Sequence, residues 1–229
     1  MAAGFEGLTG LGERLRDPTL SVLLGVQILL IFVAYPLAVM GTDLPLVATA
    51  PLAVLLILVL ASRRAATFAV ALLAVGVRVL AAIIASHEIT PATETVNTIT
   101  GIGELLVLAW IVAEVVFGPG RITAHRVRGC IVLYLAIAMI FAWLYRLIAD
   151  LMPGAFSAAL IRSGDAFTIG SFSYYSLTTL TTLGLGDIVP VNALARSLTS
   201  LEAIVGQVYP AIVLARMLTL YSDARDASG

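Results

Sequence analysis

Six stretches of this chain run for roughly twenty residues with too little polarity to remain in water, and a bilayer core about 30 Å thick needs a helix of about that length. They are Leu20–Met40, Leu44–Ala61, Ala65–Ala85, Val96–Phe117, Cys130–Leu151 and Ser197–Tyr221. The second is marginal in length, and Pro45 and Pro51 fall in its first half, a position that bends helices. The first follows Arg14 and Arg16, and Ala48-Thr49-Ala50 imitates a cleavage site, but its apolar run is too long for a signal peptide. Composition agrees: charged residues are 12% of the chain, about half the roughly 25% of a soluble domain. That excludes an ordinary soluble enzyme and a disordered chain. It also excludes a nucleic-acid partner, which would require a basic face. Cys130 is the only cysteine, so an intrachain disulfide and a cysteine metal cluster are both ruled out. No cofactor is expected, and no internal repeat of the kind that builds transporters is present.

Arginine placement gives an orientation. With the N-terminus inside, Arg14, Arg16, Arg63, Arg64, Arg121, Arg126, Arg128 and Arg225 face the cytoplasm. Only Arg162 and Arg196 face outward, with Arg146 near the outer end of its helix. The expected organisation is a cytoplasmic arm 1–19, a four-helix peripheral domain 20–117, a linker 118–129, a domain 130–221 and a short tail 222–229. Both termini are cytoplasmic and the chain lies in a plasma membrane. The loop 86–95 is outside.

One segment does not fit a simple span. Between the fifth and sixth helices lies Phe172–Thr182 (FSYYSLTTLTT), then Leu183–Pro190 (LGLGDIVP). The helical part is too short to cross and too apolar and aromatic to be a free loop. A short helix dipping in, followed by an extended return, satisfies both limits. Irregular backbone at membrane depth is tolerated only where it is buried in protein or lines a watery path. Within Thr181–Asp187 (TTLGLGD), Gly184 and Gly186 reach backbone angles forbidden to other residues. Alternated with Leu183 and Leu185, they let successive carbonyls point one way. A ring of such carbonyls from several chains replaces the water shell of a cation. The Thr182 hydroxyl adds one more oxygen.

From Tyr174 through Tyr221 the sequence resembles the potassium-channel pore family. The matching stretch reads YYSLTTLTTLGLGDIVP and then ARSLTSLEAIVGQVYPAIVLARMLTLY. The family motif Thr-x-Gly-Tyr-Gly-Asp falls on Thr182, Leu183, Gly184, Leu185, Gly186 and Asp187. Leu185 stands where the family carries Tyr, although Leu also occurs there in some two-pore members. The resemblance implies an all-α membrane protein with six transmembrane helices. A re-entrant pore helix (172–182) and a selectivity-filter loop (182–187) lie between helices five and six. It implies a homotetramer that conducts K⁺ passively, with membrane lipids and permeant K⁺ as its other partners and no enzymatic activity. Thr182, Leu183, Gly184, Leu185 and Gly186 line the filter. Tyr174 and Tyr175 match the aromatic pair that braces it, with Thr178, Thr181 and Asp187 beside them. Gly206 falls where the family carries a hinge in its inner helix, here expected over 197–221. Pro210 adds a kink four residues on; the competing role of both is close helix packing.

Glu202, early in the sixth helix at filter depth, is expected either to hydrogen-bond behind the pore helix, to Thr178, and brace the filter, or to serve a plain packing role with an interhelical bond. Arg78 and Glu104 come out at depths of roughly 20 Å and 18 Å in consecutive spans, which predicts an intramembrane ion pair. Glu114 is expected to pair with Arg121, Arg63 or Arg64. The fourth span carries no Arg, so voltage sensing of the usual kind is not expected. His87 and His125 are surface histidines open to a pH role. Two other readings stand beside the main one. Leu185 in place of Tyr suggests a weakly selective cation channel. Gly184-Leu185-Gly186-Asp187 also matches the Gly-x-Gly-Asp of intramembrane aspartyl proteases, with Asp150 as second carboxylate and Pro210-Ala211 echoing a further element.

Overall fold

The computed structural model describes residues 20–39, 90–118, 124–158 and 168–226 continuously, and between them only positions 69, 72–74, 76, 77, 79–81 and 83. Four helices of the described residues are long and apolar enough to cross a membrane. The expected span at 44–61 lies outside the described residues. That at 65–85 is described at scattered positions, all of them helical.

Helix α1 (20–39) contains a π-helical turn at Leu30–Ala34, closed by the Tyr35 N–H on the Leu30 carbonyl. Pro36 follows directly. It has no N–H to continue the α-helical ladder, and the wider turn absorbs the mismatch. Helix α2 (Pro91–Phe117) begins five residues before the expected Val96. Its start is written in Thr90, which caps the helix by accepting from the Thr93 N–H while the Thr93 hydroxyl accepts from the Thr90 N–H. Pro91 occupies the first turn, where its missing N–H costs nothing. The outer part of the expected 86–95 loop is therefore helical from Pro91 on.

Helix α3 (Ala124–Leu151) starts six residues ahead of Cys130, so Arg126 and Arg128 of the expected linker belong to it. It packs along α2, with Gly101 lying against the Trp143 ring and Val112 and Val116 meeting Val132 and Ala136 in one buried core. At the upper end Arg146 bonds Asp150 on its own helix (Nε to Oδ1, 2.9 Å) and Glu94 of α2 (3.2 Å). Strand β1 (Phe156–Ala158) follows α3, and helix α4 (Ile169–Leu180) comes next. Strand β2 (Ile188–Pro190) pairs antiparallel with β1, Ser157 opposite Val189. Helix α5 (Ala193–Asp226) closes the description, four residues earlier and five later than the expected 197–221. Asn192 caps its start, accepting the Ala195 N–H at 2.9 Å.

Burial differs sharply between these helices. In α3, 61% of the apolar window is buried within the chain; in α5 it is 11%. Within one chain most of α5 is exposed, apart from the side that meets α3 and α4.

Candidate functional site

Helix α4 starts at Ile169, three residues earlier than the expected Phe172, capped by Thr168, whose hydroxyl accepts the Ser171 N–H (3.2 Å). Its apolar side turns Phe172, Tyr175 and Leu180 inward, while Tyr174 lies half-exposed on the other side. A ladder of contacts fixes α4 against α5: Tyr175 with Thr199 (hydroxyl to hydroxyl, 2.8 Å), Ser176 with Glu202, Leu180 against Gly206. Just past the helix, Thr182 meets Gln207 (3.1 Å). Both helices thus run in the same direction, and Gly206 lies roughly 20 Å along α5 from its start at 1.5 Å per residue. The return is shown by Arg196, whose Nε donates to the Pro190 carbonyl at 3.2 Å near the head of α5. The chain between α3 and α5 therefore goes in along α4 and comes back along 182–190 to the same end.

The returning strand has an alternating backbone. Thr182, Gly184 and Gly186 all have positive φ, at 57°, 54° and 77°. The two glycines were expected to do this; Thr182 was not, because a side chain in that region costs about 1–2 kcal/mol. It is held there from two sides. Its N–H donates to the Thr179 carbonyl at 2.9 Å, and its hydroxyl accepts from Gln207. The Gly184 N–H donates to the Thr178 carbonyl at 3.0 Å. The N–H groups of the strand are thus turned back onto the end of α4. Among the described residues, the carbonyls of Thr182, Leu183, Gly184 and Leu185 accept no main-chain hydrogen bond. Leu183 and Leu185 are 63% and 59% exposed. A cavity of about 260 Å³ lies behind the strand, lined by Tyr175, Thr178, Thr199, Ala203 and the Gly184–Gly186 backbone.

Asp187 closes the strand. Its Oδ1 accepts the Ile188 N–H at 3.1 Å, and its carboxyl acts on the Tyr174 phenol. The influence of Asp187 holds that phenol above its ordinary pKa. Tyr175 is buried and points the other way. Since Thr199 donates its own proton to the Ala195 carbonyl (2.8 Å), Tyr175 is the donor to Thr199. Tyr175→Phe removes this single neutral bond. The expected cost is about 1 kcal/mol per chain, read as a small drop in melting temperature with assembly unchanged.

One sequence expectation changes. Glu202 does not reach Thr178, whose hydroxyl donates to the Tyr175 carbonyl of its own helix at 2.9 Å. Its partners are Ser176 and Tyr145, the latter at 2.5 Å. Ser176 is two positions from Thr178, and on a helix of 3.6 residues per turn that is nearly the opposite side. Gly206 stands inside an unbroken helix, as does Pro210. A Cβ at 206 would lie 1.9 Å from the Leu180 carbonyl oxygen, so the absence of a side chain is required for α4 to seat on α5.

Sequence reasoning missed the aromatic wedge behind this site. Tyr145 of α3 meets Tyr175 edge-on at 4.9 Å between ring centroids, and Phe156 of β1 meets Phe172 likewise at 4.9 Å. Tyr209 of α5 donates to the Cys130 carbonyl at 2.8 Å and lies against Tyr134. The signal was four separated aromatics, with nothing local to link them. Of the remaining expected residues, Thr181 caps α4, its N–H on the Leu177 carbonyl at 3.1 Å. Glu104 is buried on α2, while Arg78 lies outside the described residues. Glu114 accepts from the Trp110 indole at 3.2 Å; Arg63, Arg64 and Arg121 also lie outside the described residues.

A family model described as an ion channel matches residues 129–223, which takes in α3, β1, α4, the returning strand, β2 and most of α5. No curated protein matches the chain, and no solved structure does.

Proposed function

We propose that the chain, whose residues 129–223 match a family model described as an ion channel, is one subunit of a homotetrameric, potassium-selective channel that conducts K⁺ passively across a plasma membrane. The observation that carries this reading is the strand 182–187. The N–H groups of Thr182 and Gly184 are spent on α4, its carbonyl side is left without main-chain donors, and its leucines are exposed. Backbone of that kind cannot face lipid. Further copies must surround it, and the bare face of α5 supports the same need. A fourfold axis turns the strand into a ring. The carbonyls of Thr182, Leu183, Gly184 and Leu185, with the Thr182 hydroxyl, then take the place of the ion's hydration shell. The negative end of the α4 dipole, at Leu180–Thr181, faces the inner cavity.

Leu185 removes the hydroxyl that a filter Tyr sends outward. In this chain the bracing comes instead from the Gly184 N–H on Thr178 and from Gln207 on Thr182. That supports selectivity over a loose cation pore. The protease reading needs two carboxylates sharing a proton; Asp150 is instead engaged by Arg146 at 2.9 Å. Six spans, with 20–117 forming a peripheral domain and both termini cytoplasmic, complete the proposal. Helix α2 carries no basic residue, so gating does not depend on the usual voltage-sensing charges.

The test is the reversal potential of purified protein in a planar bilayer with K⁺ on one side and Na⁺ on the other. A reversal displaced far toward the K⁺ equilibrium potential, with block by Ba²⁺, is expected. A reversal near zero excludes K⁺ selectivity, and electrical silence excludes the channel.

A further inference from the structure

Glu202 has no exposed surface. Its carboxyl meets two hydroxyls: Tyr145 of α3 on Oε2 at 2.5 Å, and Ser176 of α4 on Oε1. The Ser176 oxygen lies also 2.6 Å from the Ala138 carbonyl of α3. These contacts can be tested by counting protons. A serine hydroxyl has one, a backbone carbonyl has none, and a carboxylate has none. Two hydrogen-bonded oxygen contacts meet at Ser176, so two protons are required and the serine supplies one. The Tyr145 proton is already placed on Oε2.

The missing proton belongs on Oε1. We propose that Glu202 is held as a neutral carboxylic acid, and that its proton joins the outer, pore and inner helices as one unit, which makes it a positioning residue for the pore helix. Oε1 then donates to Ser176, Ser176 donates to the Ala138 carbonyl, and Tyr145 donates to Oε2. Every contact carries one proton. The inference rests on the channel reading only for the names of the helices.

The surroundings agree. The other titratable groups facing the carboxyl are Tyr175 of α4, which donates to Thr199, and Tyr134 of α3. Among the described residues no salt bridge reaches Glu202; Arg146, from the same helix as Tyr145, is engaged by Glu94 and Asp150. A carboxylate buried without a counter-charge is costly, and the group takes a proton instead. An acid kept neutral by an apolar site can donate a hydrogen bond at neutral pH. Loss of that proton would place one negative charge per subunit behind the strand 182–187. It would also leave the Ser176 hydroxyl with two acceptors and one proton, so the seat of α4 on α3 would loosen.

Infrared spectroscopy of the full chain in lipid tests this without any current. The wild type is expected to show the C=O stretch of a protonated carboxylic acid at neutral pH, and Glu202→Gln to lose that band. The amide keeps a donor for Ser176 and an acceptor for Tyr145, so Glu202→Gln should assemble as wild type does, whereas Glu202→Ala should not. Ser176→Ala removes the acid's acceptor and is expected to shift the band to higher frequency. Spectra with no acid band missing in Glu202→Gln and no shift in Ser176→Ala would overturn the proposal. Because the readout is independent of conduction, that result leaves the reversal-potential test standing, and a silent bilayer leaves this one standing.

Discussion

Gly206→Ala is expected to prevent the pore from assembling. The added Cβ would lie 1.9 Å from the Leu180 carbonyl oxygen, 2.7 Å from its carbon and 3.0 Å from its Cα. All three are backbone atoms, so no side-chain rotation relieves the clash. Helix α4 must retreat by about 1 Å to reach the shortest separation real structures tolerate. That retreat pulls Leu180 from Tyr134, whose hydroxyl donates to the same carbonyl at 3.3 Å, and strains the Ser176–Glu202 contact one turn earlier. Overpacking of this kind costs about 1–3 kcal/mol per site, or about 4–12 kcal/mol over the four subunits of the proposed tetramer. The whole stability of a typical domain is about 5–15 kcal/mol. The readout is the tetramer fraction by native mass spectrometry, with K⁺ flux from liposomes beside it. A glycine kept only for bending gives the opposite result, because Ala stabilises a helix by about 1 kcal/mol relative to Gly. A fully assembled Gly206→Ala protein with altered opening would identify a hinge.

Gly184→Ala and Gly186→Ala should act on conduction with less effect on folding. Both glycines have positive φ, and nothing lies within 4 Å of a Cβ built at either position. Within one chain the penalty is therefore conformational, about 1–2 kcal/mol per residue. The easiest relief is rotation of the peptide away from the alternating pattern, which turns a carbonyl out of the ring. In the proposed tetramer all four subunits do this together. The ratio of K⁺ to Na⁺ permeability is expected to fall at least tenfold, which corresponds to about 1.4 kcal/mol, while the helical content of the purified protein stays unchanged. Unaltered selectivity in both variants would separate the strand from the ion path.

Much of this was legible in the sequence, and the limits have physical causes. Apolar run length located α1, α2, α3 and α5, since the bilayer sets that length. The pair Gly184 and Gly186 marked the strand, since their backbone freedom is intrinsic to the residue. Helix ends were less visible. Thr90 and Pro91 state the start of α2 in their capping chemistry, yet hydropathy places the boundary at Val96. Strands β1 and β2, of three residues each, are too short for any periodicity to register. Partners across helices were the least visible. Glu202 could be placed behind the pore helix by depth, but choosing Ser176 over Thr178 requires the rotation of α4 about its axis. Tyr145 requires the rotation of α3 as well. The positive φ of Thr182 depends on Gln207 and the Thr179 carbonyl, which are contacts and not properties of threonine.

The most direct measurement is a density map of the purified protein in lipid nanodiscs with K⁺ in the buffer. Four copies around one axis are expected, with the Thr182–Leu185 carbonyls turned toward it and a line of ion density between them. A monomer, or an assembly in which Gly184–Gly186 faces lipid away from any symmetry axis, would contradict the proposed pore.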